Sequence, residues 1–344
     1  MAGVSRWDGW VPIRVFPQGR SLIVEWCHFG TSRFEQPFFR DAVDRALRLP
    51  FNRAFRQQTS IDELACLAGE RPGIAPTAFI FHASRCGSTL AARMLMALDS
   101  HVVVSEPTML DFVLHAHPLL PDADDATRRD RLRALVSALA QPRSGGESRF
   151  VVKFDAWNIV DLPLVRAAFP ATPWIFLYRD PVEIVASQWR QPGAHTVPGM
   201  LGPASAIMPT EDARRMTREE YVARVIGRIL QAGAEHCASA GGRPVHYDEL
   251  PDAIGGSLAP TFGVVRDAAT LARLRDAARW DAKTPQLPWE PDAARKQREV
   301  GPALRAAVEA HATPHYVELE RLRAQWSRKT GTAGATAASA VALP

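Results

Sequence analysis

Cysteine is scarce. The 344 residues hold four, Cys27, Cys66, Cys86 and Cys237, in no metal-like or paired spacing. So sparse a supply in a long chain excludes a disulfide framework and points to a reducing compartment. Long hydrophobic runs are missing as well. No uncharged apolar stretch reaches the roughly twenty residues that a membrane span needs. The opening MAGVSRWDGWVPIRV carries Arg and Asp where a secretory signal has an apolar centre. Nor does one sign of charge dominate. Lys and Arg number 41 against 37 Asp and Glu, a formal net charge of +4. That balance suits an anionic small ligand and is too slight for a chain whose main partner is nucleic acid. Together these absences predict a cytoplasmic protein with no membrane span. His115 and His117 stand two apart with no third ligand at metal-like spacing, so no metal site is expected.

What is present reads as two parts. In residues 1–72, two runs rich in branched and aromatic residues, Trp10–Phe16 and Leu22–Trp26, flank the turn-forming Pro17-Gln18-Gly19 and predict a hairpin. A helix is expected over Pro37–Leu47, and a shorter one after Ser60, an N-cap with Glu63 three residues on. This part reads as a small α+β cap. From residue 73 to about 330, apolar strand candidates at 78–82, 101–104, 149–154 and 174–178 alternate with helical patterns, which implies a doubly wound parallel sheet. The Pro- and Gly-rich stretch Gln191–Glu211 is long for a connector and reads as a substrate lid. Residues 331–344, rich in Ala, Thr and Gly, are expected to be disordered.

Two motifs carry chemistry. The first, His82-Ala83-Ser84-Arg85-Cys86-Gly87-Ser88-Thr89, joins a strand to a helix. A glycine turn there lets backbone N–H groups converge on an anion, and the helix N-terminus adds partial positive charge. Ser88 and Thr89 add hydroxyl donors, and Arg85 can neutralise an oxyanion. The chain has no Gly-Lys-Ser/Thr of the Walker type. The second motif is Tyr178-Arg179-Asp180-Pro181 with Ser187 eight residues after Arg179. Its strand delivers Arg179 to a C-terminal edge, where ligands bind in open α/β sheets. Asp180 and Pro181 suit the start of the next helix. The plainer alternative pairs Arg179 with a loop carboxylate.

Arg85-Cys86-Gly87-Ser88-Thr89-Leu90 after the first strand, and Arg179 with Ser187, resemble the phosphosulfate and 3′-phosphate motifs of the sulfotransferase superfamily. Arg at the first position is the form of the bacterial P-loop-like and tyrosylprotein members. The resemblance covers most of residues 77–265. It implies a P-loop NTPase-like three-layer α/β sandwich with a central parallel sheet. It also implies 3′-phosphoadenosine 5′-phosphosulfate (PAPS) as co-substrate, without a metal, and sulfuryl transfer to a hydroxyl or amine. The donor would be held by Arg85, Cys86, Gly87, Ser88, Thr89, Arg179 and Ser187.

Lys153 matches the lysine that contacts the transferring group in the family. Where cytosolic members place a catalytic His two residues later, this chain has Asp155, and that departure leaves the base open. Glu106 matches the acidic residue after the second strand of tyrosylprotein and related bacterial members and is preferred to Asp155. The catalytic set is therefore Glu106, Lys153, Arg85 and Asp155. Asp155 could instead orient Lys153 or cap a turn, and Glu106 could cap a helix or pair with an Arg. Tyr247 and Leu250 read as packing residues. Asp281–Pro285 and Asp292–Lys296 stand where the family has an Arg-Lys-Gly loop over the 3′-phosphate, a poor match without the glycine, and Lys283 reads as a solvated lysine. Trp157 and Trp189 are offered as walls for the acceptor. Acceptor identity and oligomeric state do not follow from the sequence. Two rivals stand beside transfer: a P-loop kinase, which needs the missing Gly-Lys-Ser/Thr and magnesium, and a silent nucleotide-binding protein of the same fold.

Overall fold

In a computed structural model, residues 6–19, 21–115, 124–202, 207–282 and 292–339 are described. His117 and Lys283 lie outside them, as does part of the 191–211 stretch. The chain divides into two compact units. One comprises Met1–Phe81, Gly87–Pro173 and Leu250–Glu290; the other comprises His82–Cys86, Trp174–Glu249 and Pro291–Pro344.

The first unit opens with the expected hairpin, β1 (Trp10–Gln18) and β2 (Ser21–His28), paired antiparallel. Side chains alternate as a half-buried sheet requires: Val11, Ile13 and Val15 are buried from β1, and Leu22, Val24 and Trp26 from β2. A third strand, β3 (Gln57–Ser60), joins β2, although its sequence QQTS lacks strand patterning. The Trp26 indole anchors it by donating to the Thr59 hydroxyl at 2.9 Å. Three helices belong to this part: α1 (Phe39–Leu47), α2 (Pro50–Ala54) and α3 (Ile61–Glu70). Helix α1 buries Phe39, Ala42, Val43 and Ala46 on one face. The Ser60 hydroxyl caps α3 by accepting from the Glu63 N–H at 3.0 Å.

β4 (Pro76–His82), β5 (His101–Ser105) and β6 (Arg149–Lys153) follow. With β7 (Trp174–Tyr178) and β8 (Arg243–His246) they belong to a five-stranded sheet of order β5-β6-β4-β7-β8, in which β4 and β5 each run parallel to β6. Their near-continuous apolar runs are those of strands covered on both faces. Helices α4 (Ser88–Met96), α5 (Thr108–His115), α6 (Asp125–Leu139) and α7 (Leu162–Ala168) connect or follow these strands. Asp124 caps α6 by accepting from the Thr127 N–H at 2.8 Å. The unit closes with three helices that come later in the chain: α11 (Asp252–Gly255), α12 (Ala259–Phe262) and α13 (Ala268–Ala278).

The second unit holds β7 (Trp174–Tyr178) and β8 (Arg243–His246), paired parallel. It also holds helices α8 (Pro181–Arg190), α9 (Thr210–Ala213), α10 (Arg218–Ser239), α14 (Ala293–Glu299), α15 (Pro302–His311) and α16 (Thr313–Ser339). Helix α10 packs closely enough on the end of α15 that a Cβ on Gly227 would lie 2.0 Å from the His311 carbonyl oxygen. The Tyr178 hydroxyl donates to Glu320 of α16 at 2.5 Å. Helix α16 continues into the tail for which composition predicts disorder, and its backbone is helical to Ser339. The alanines of that stretch, the best helix formers, outweigh its Thr and Gly. No helix among the described residues is long and apolar enough to cross a membrane.

Candidate functional site

Strands β5 and β6 deliver two of the expected residues to one place. Ser105 is paired with Lys153 in the register, so Lys153 and Glu106 sit at neighbouring strand ends. The Lys153 side chain is 0% exposed. Its ammonium donates to Ser105 Oγ at 3.2 Å, forms a short ion pair with Glu106 Oε1 and lies 5.2 Å from the Phe38 ring centroid. A buried ammonium is stable only with such partners. Glu106 turns the chain with φ 55°, and its N–H donates to the Lys153 carbonyl at 2.7 Å. A left-handed non-glycine residue costs about 1–3 kcal/mol and tends to be kept where a site needs it.

Behind this pair lies a second layer that sequence reading did not assemble. Asp155 caps the turn Ala156–Asp161 in a reciprocal box with Asn158, one of the plainer roles open to it. Burial, then the nearby charges of Glu106 and Asp111, push the Asp155 carboxyl well above its ordinary range, against opposing pulls from Lys153 and His115. Burial thus favours the neutral form of Asp155. Asp111, from α5, accepts from the Trp157 indole at 2.5 Å and the Asn158 amide at 2.7 Å. That tethers Trp157 by its polar edge. His115, one turn on, spans two carboxylates: Nδ1 is 3.2 Å from Asp111 and Nε2 is 2.9 Å from Asp161. Burial alone would lower its pKa, but those two partners raise it to about 10, so the residue is an imidazolium. Burial would raise Asp111, yet its bonds to His115, Asn158 and Trp157 hold it below the usual range.

The loop from His82 to Thr89 has the backbone of a tight anion-binding turn. Ser84, Arg85 and Gly87 are all left-handed, at φ 65°, 49° and 83°. The Ser84 N–H donates to His82 Nδ1 at 3.0 Å, and the Cys86 thiol donates to the Leu177 carbonyl at 3.2 Å. Gly87 is the N-cap of α4 and supplies no side-chain cap, so the first-turn N–H groups are not closed off by the chain's own cap. Ser88 and Thr89, in that turn, are buried. Arg85 reaches toward the stretch that begins at Gln191. Its guanidinium donates to the Gln191 carbonyl at 2.6 Å, as guanidinium groups do where a loop carbonyl lies in reach.

Gln188 organises the start of the expected lid: its amide donates to Ser84 Oγ at 2.8 Å and accepts from the Gly193 N–H at 2.7 Å. Trp189 is covered by the Arg218 guanidinium, 3.8 Å from its centroid.

Arg179 closes β7 and is 4% exposed. It forms an ion pair with Glu183, one helical turn on, and a 3.2 Å contact with Asp292. The Tyr247 ring lies 4.0 Å from its guanidinium carbon, a cation–π contact. Asp292 also meets Lys296 Nζ at 2.8 Å, and Lys296 is likewise 4% exposed. Burial lowers the Lys296 pKa, with Arg179 adding to the effect and Asp292 opposing it. Burial would raise Asp292, but the Lys296 bond and both cationic charges hold it below its ordinary range. Arg179 thus meets two carboxylates, the plainer alternative of the sequence reading, within a cluster of two cations and two anions. Ser187 is half-buried on the same helix, α8. Glu183 went unread, although it forms an i, i+4 pair with Arg179 that the sequence displays, whereas Lys296 lies in the Asp292–Lys296 segment that the sequence had singled out.

No family model matches the chain, and no curated protein matches it closely enough to serve as a relative.

Proposed function

We propose that this protein is a PAPS-dependent sulfotransferase acting on a hydroxyl or amine acceptor. The observation that carries the reading is the contact between Glu106 and Lys153, the two residues assigned to the proton and to the transferring group. The acceptor oxygen or nitrogen attacks sulfur while the bond from sulfur to the bridging phosphate oxygen breaks, releasing adenosine 3′,5′-bisphosphate. Glu106 takes the acceptor's proton. Lys153 positions Glu106 and stabilises the charge that develops on the bridging oxygen, the kind of preorganised electrostatics that carries most transfer chemistry.

The His82–Thr89 turn, read as a phosphate loop of the P-loop type, offers left-handed backbone and an uncapped helix N-terminus to the 5′-phosphosulfate. Arg179 and Ser187 hold the 3′-phosphate. The donor's two anionic groups thus face cations or helix N–H groups supplied by the chain itself. Burial and nearby negative charge raise the Asp155 carboxyl, and it is engaged in the Ala156–Asp161 turn cap, which favours Glu106 as the base.

The test is release of adenosine 3′,5′-bisphosphate from the donor across a panel of phenols, alcohols and amines. Glu106→Gln should lower turnover about 10²–10⁴-fold, while Asp155→Asn keeps most of it. Equal turnover in Glu106→Gln and wild type would remove Glu106 as base. No release with any acceptor leaves the chain a binding protein.

A further inference from the structure

We propose that Asp292 stands in for a ligand phosphate between Arg179 and Lys296, closing with the chain's own carboxylate a site built for a phosphate monoester. The inference rests on the reading that Arg179 holds the donor's 3′-phosphate, and it adds a second cation and an internal competitor to that site. Asp292 bridges the two cations with its two oxygens, Oδ1 at 3.2 Å from Arg179 and Oδ2 at 2.8 Å from Lys296, as two oxygens of a phosphate would. The cations are each 4% exposed, whereas the Asp292 side chain is 30% exposed.

Two further observations set this cluster apart from an ordinary ion pair. Asp292 occupies the N-cap position of α14, where Asp normally accepts from the helix N–H groups, yet its side chain makes no cap bond. The carboxylate is committed to the cations instead. Arg179 Nε is buried and has no hydrogen-bond partner among the described residues. Such a donor costs stability unless a ligand meets it, and the Tyr247 ring against the guanidinium fixes the plane in which that ligand would approach.

A phosphate monoester carries about two negative charges against the one of Asp292, so it outcompetes the carboxylate on the same donors. Asp292 turns out to water, and Glu183 stays on Arg179. Anions that cannot match both cations do not displace Asp292, which makes the residue a filter for the 3′-phosphate.

The experiment is calorimetric titration of adenosine 3′,5′-bisphosphate and 5′-AMP into wild type, Asp292→Asn and Lys296→Gln, with melting curves of each. Removing the competitor in Asp292→Asn should tighten the bisphosphate about tenfold and leave 5′-AMP unchanged. The same variant should melt lower without ligand, because two buried cations lose a counter-ion, and regain stability with the bisphosphate. Lys296→Gln should weaken the bisphosphate about tenfold and spare 5′-AMP. If wild type prefers the bisphosphate but Asp292→Asn binds it no tighter, the inference is overturned and the donor reading stands. If wild type shows no preference for the bisphosphate, the donor reading fails and this inference with it. Should Asp292→Asn not fold, an unchanged 3′-phosphate preference in Lys296→Gln overturns the proposal alone.

Discussion

Replacing His115 with Gln removes a cation held between Asp111 and Asp161, and its effect has a definite dependence on pH. The folded-state pKa is raised from an ordinary 6.5 to about 10. A base whose pKa rises on folding gives stability that is fully present below the unfolded value and lost as pH climbs through the folded one. One such group changes stability by about 1.4 kcal/mol per pH unit within that window. Integrated from 6.5 to about 10, the contribution is at most about 5 kcal/mol. The side chain is 9% exposed, so solvent screening takes little from it. The lowered Asp111 pKa reports the same contact from the other side and is not counted again. Urea unfolding followed by tryptophan fluorescence, at steps from pH 6 to 10, measures wild type against His115→Gln. At pH 6 to 7 the variant should be less stable by about 3–5 kcal/mol, the range for breaking a buried ion pair. The difference should shrink steadily toward pH 10, while groups common to both proteins cancel. A difference that stays flat across that range would mean His115 is neutral in the folded protein, and the argument would be wrong.

Asp155 titrates with the opposite consequence. As a carboxyl raised by folding, it costs the folded protein progressively more as pH rises above its unfolded value of 3.8. Asp155→Asn keeps the turn cap and should gain on wild type in melting temperature between pH 4 and 7; a gap that closes with rising pH would contradict the assignment. Gly227→Ala tests packing in the other unit. Helix propensity alone favours Ala by about 1 kcal/mol. The new Cβ would meet the His311 carbonyl at 2.0 Å, so the variant should instead lose about 1–3 kcal/mol. A rise in melting temperature would show that α10 and α15 are less tightly apposed.

Much of the sheet was readable because its strands are apolar on both faces: AFIFH, FVVK and WIFLY leave little alternative to a buried parallel strand. The hairpin and the Ser60 cap were equally local signals. Strand β3 was not, since Gln57 and Gln58 have no strand preference and the segment is ordered by Trp26 from across the sheet. Helix α5 left a signal that went unread: Met109, Leu110, Val113 and Leu114 are its buried face, at helical spacing just after Glu106-Pro107. Among the candidate residues, Glu106, Lys153 and Arg179 were legible as strand-end residues. Their partners came from elsewhere. Asp292 lies 113 residues from Arg179, and Asp111 lies 47 from Asn158. Nothing in local spacing brings such pairs together. The Arg85 contact with Gln191 has the same origin, a separation of 106 residues.

The central claim is that Arg179 selects a 3′-phosphorylated adenosine nucleotide. Calorimetric titration of adenosine 3′,5′-bisphosphate, 5′-AMP and ATP with magnesium into wild type and Arg179→Ala tests it most directly. The account predicts that wild type binds the bisphosphate well ahead of both controls. Loss of the guanidinium should cost roughly 1–3 kcal/mol, about 5- to 150-fold, for the bisphosphate alone. Equal binding of bisphosphate and 5′-AMP, or tighter binding of ATP with magnesium, would contradict the sulfotransferase reading and leave a kinase-like one in its place.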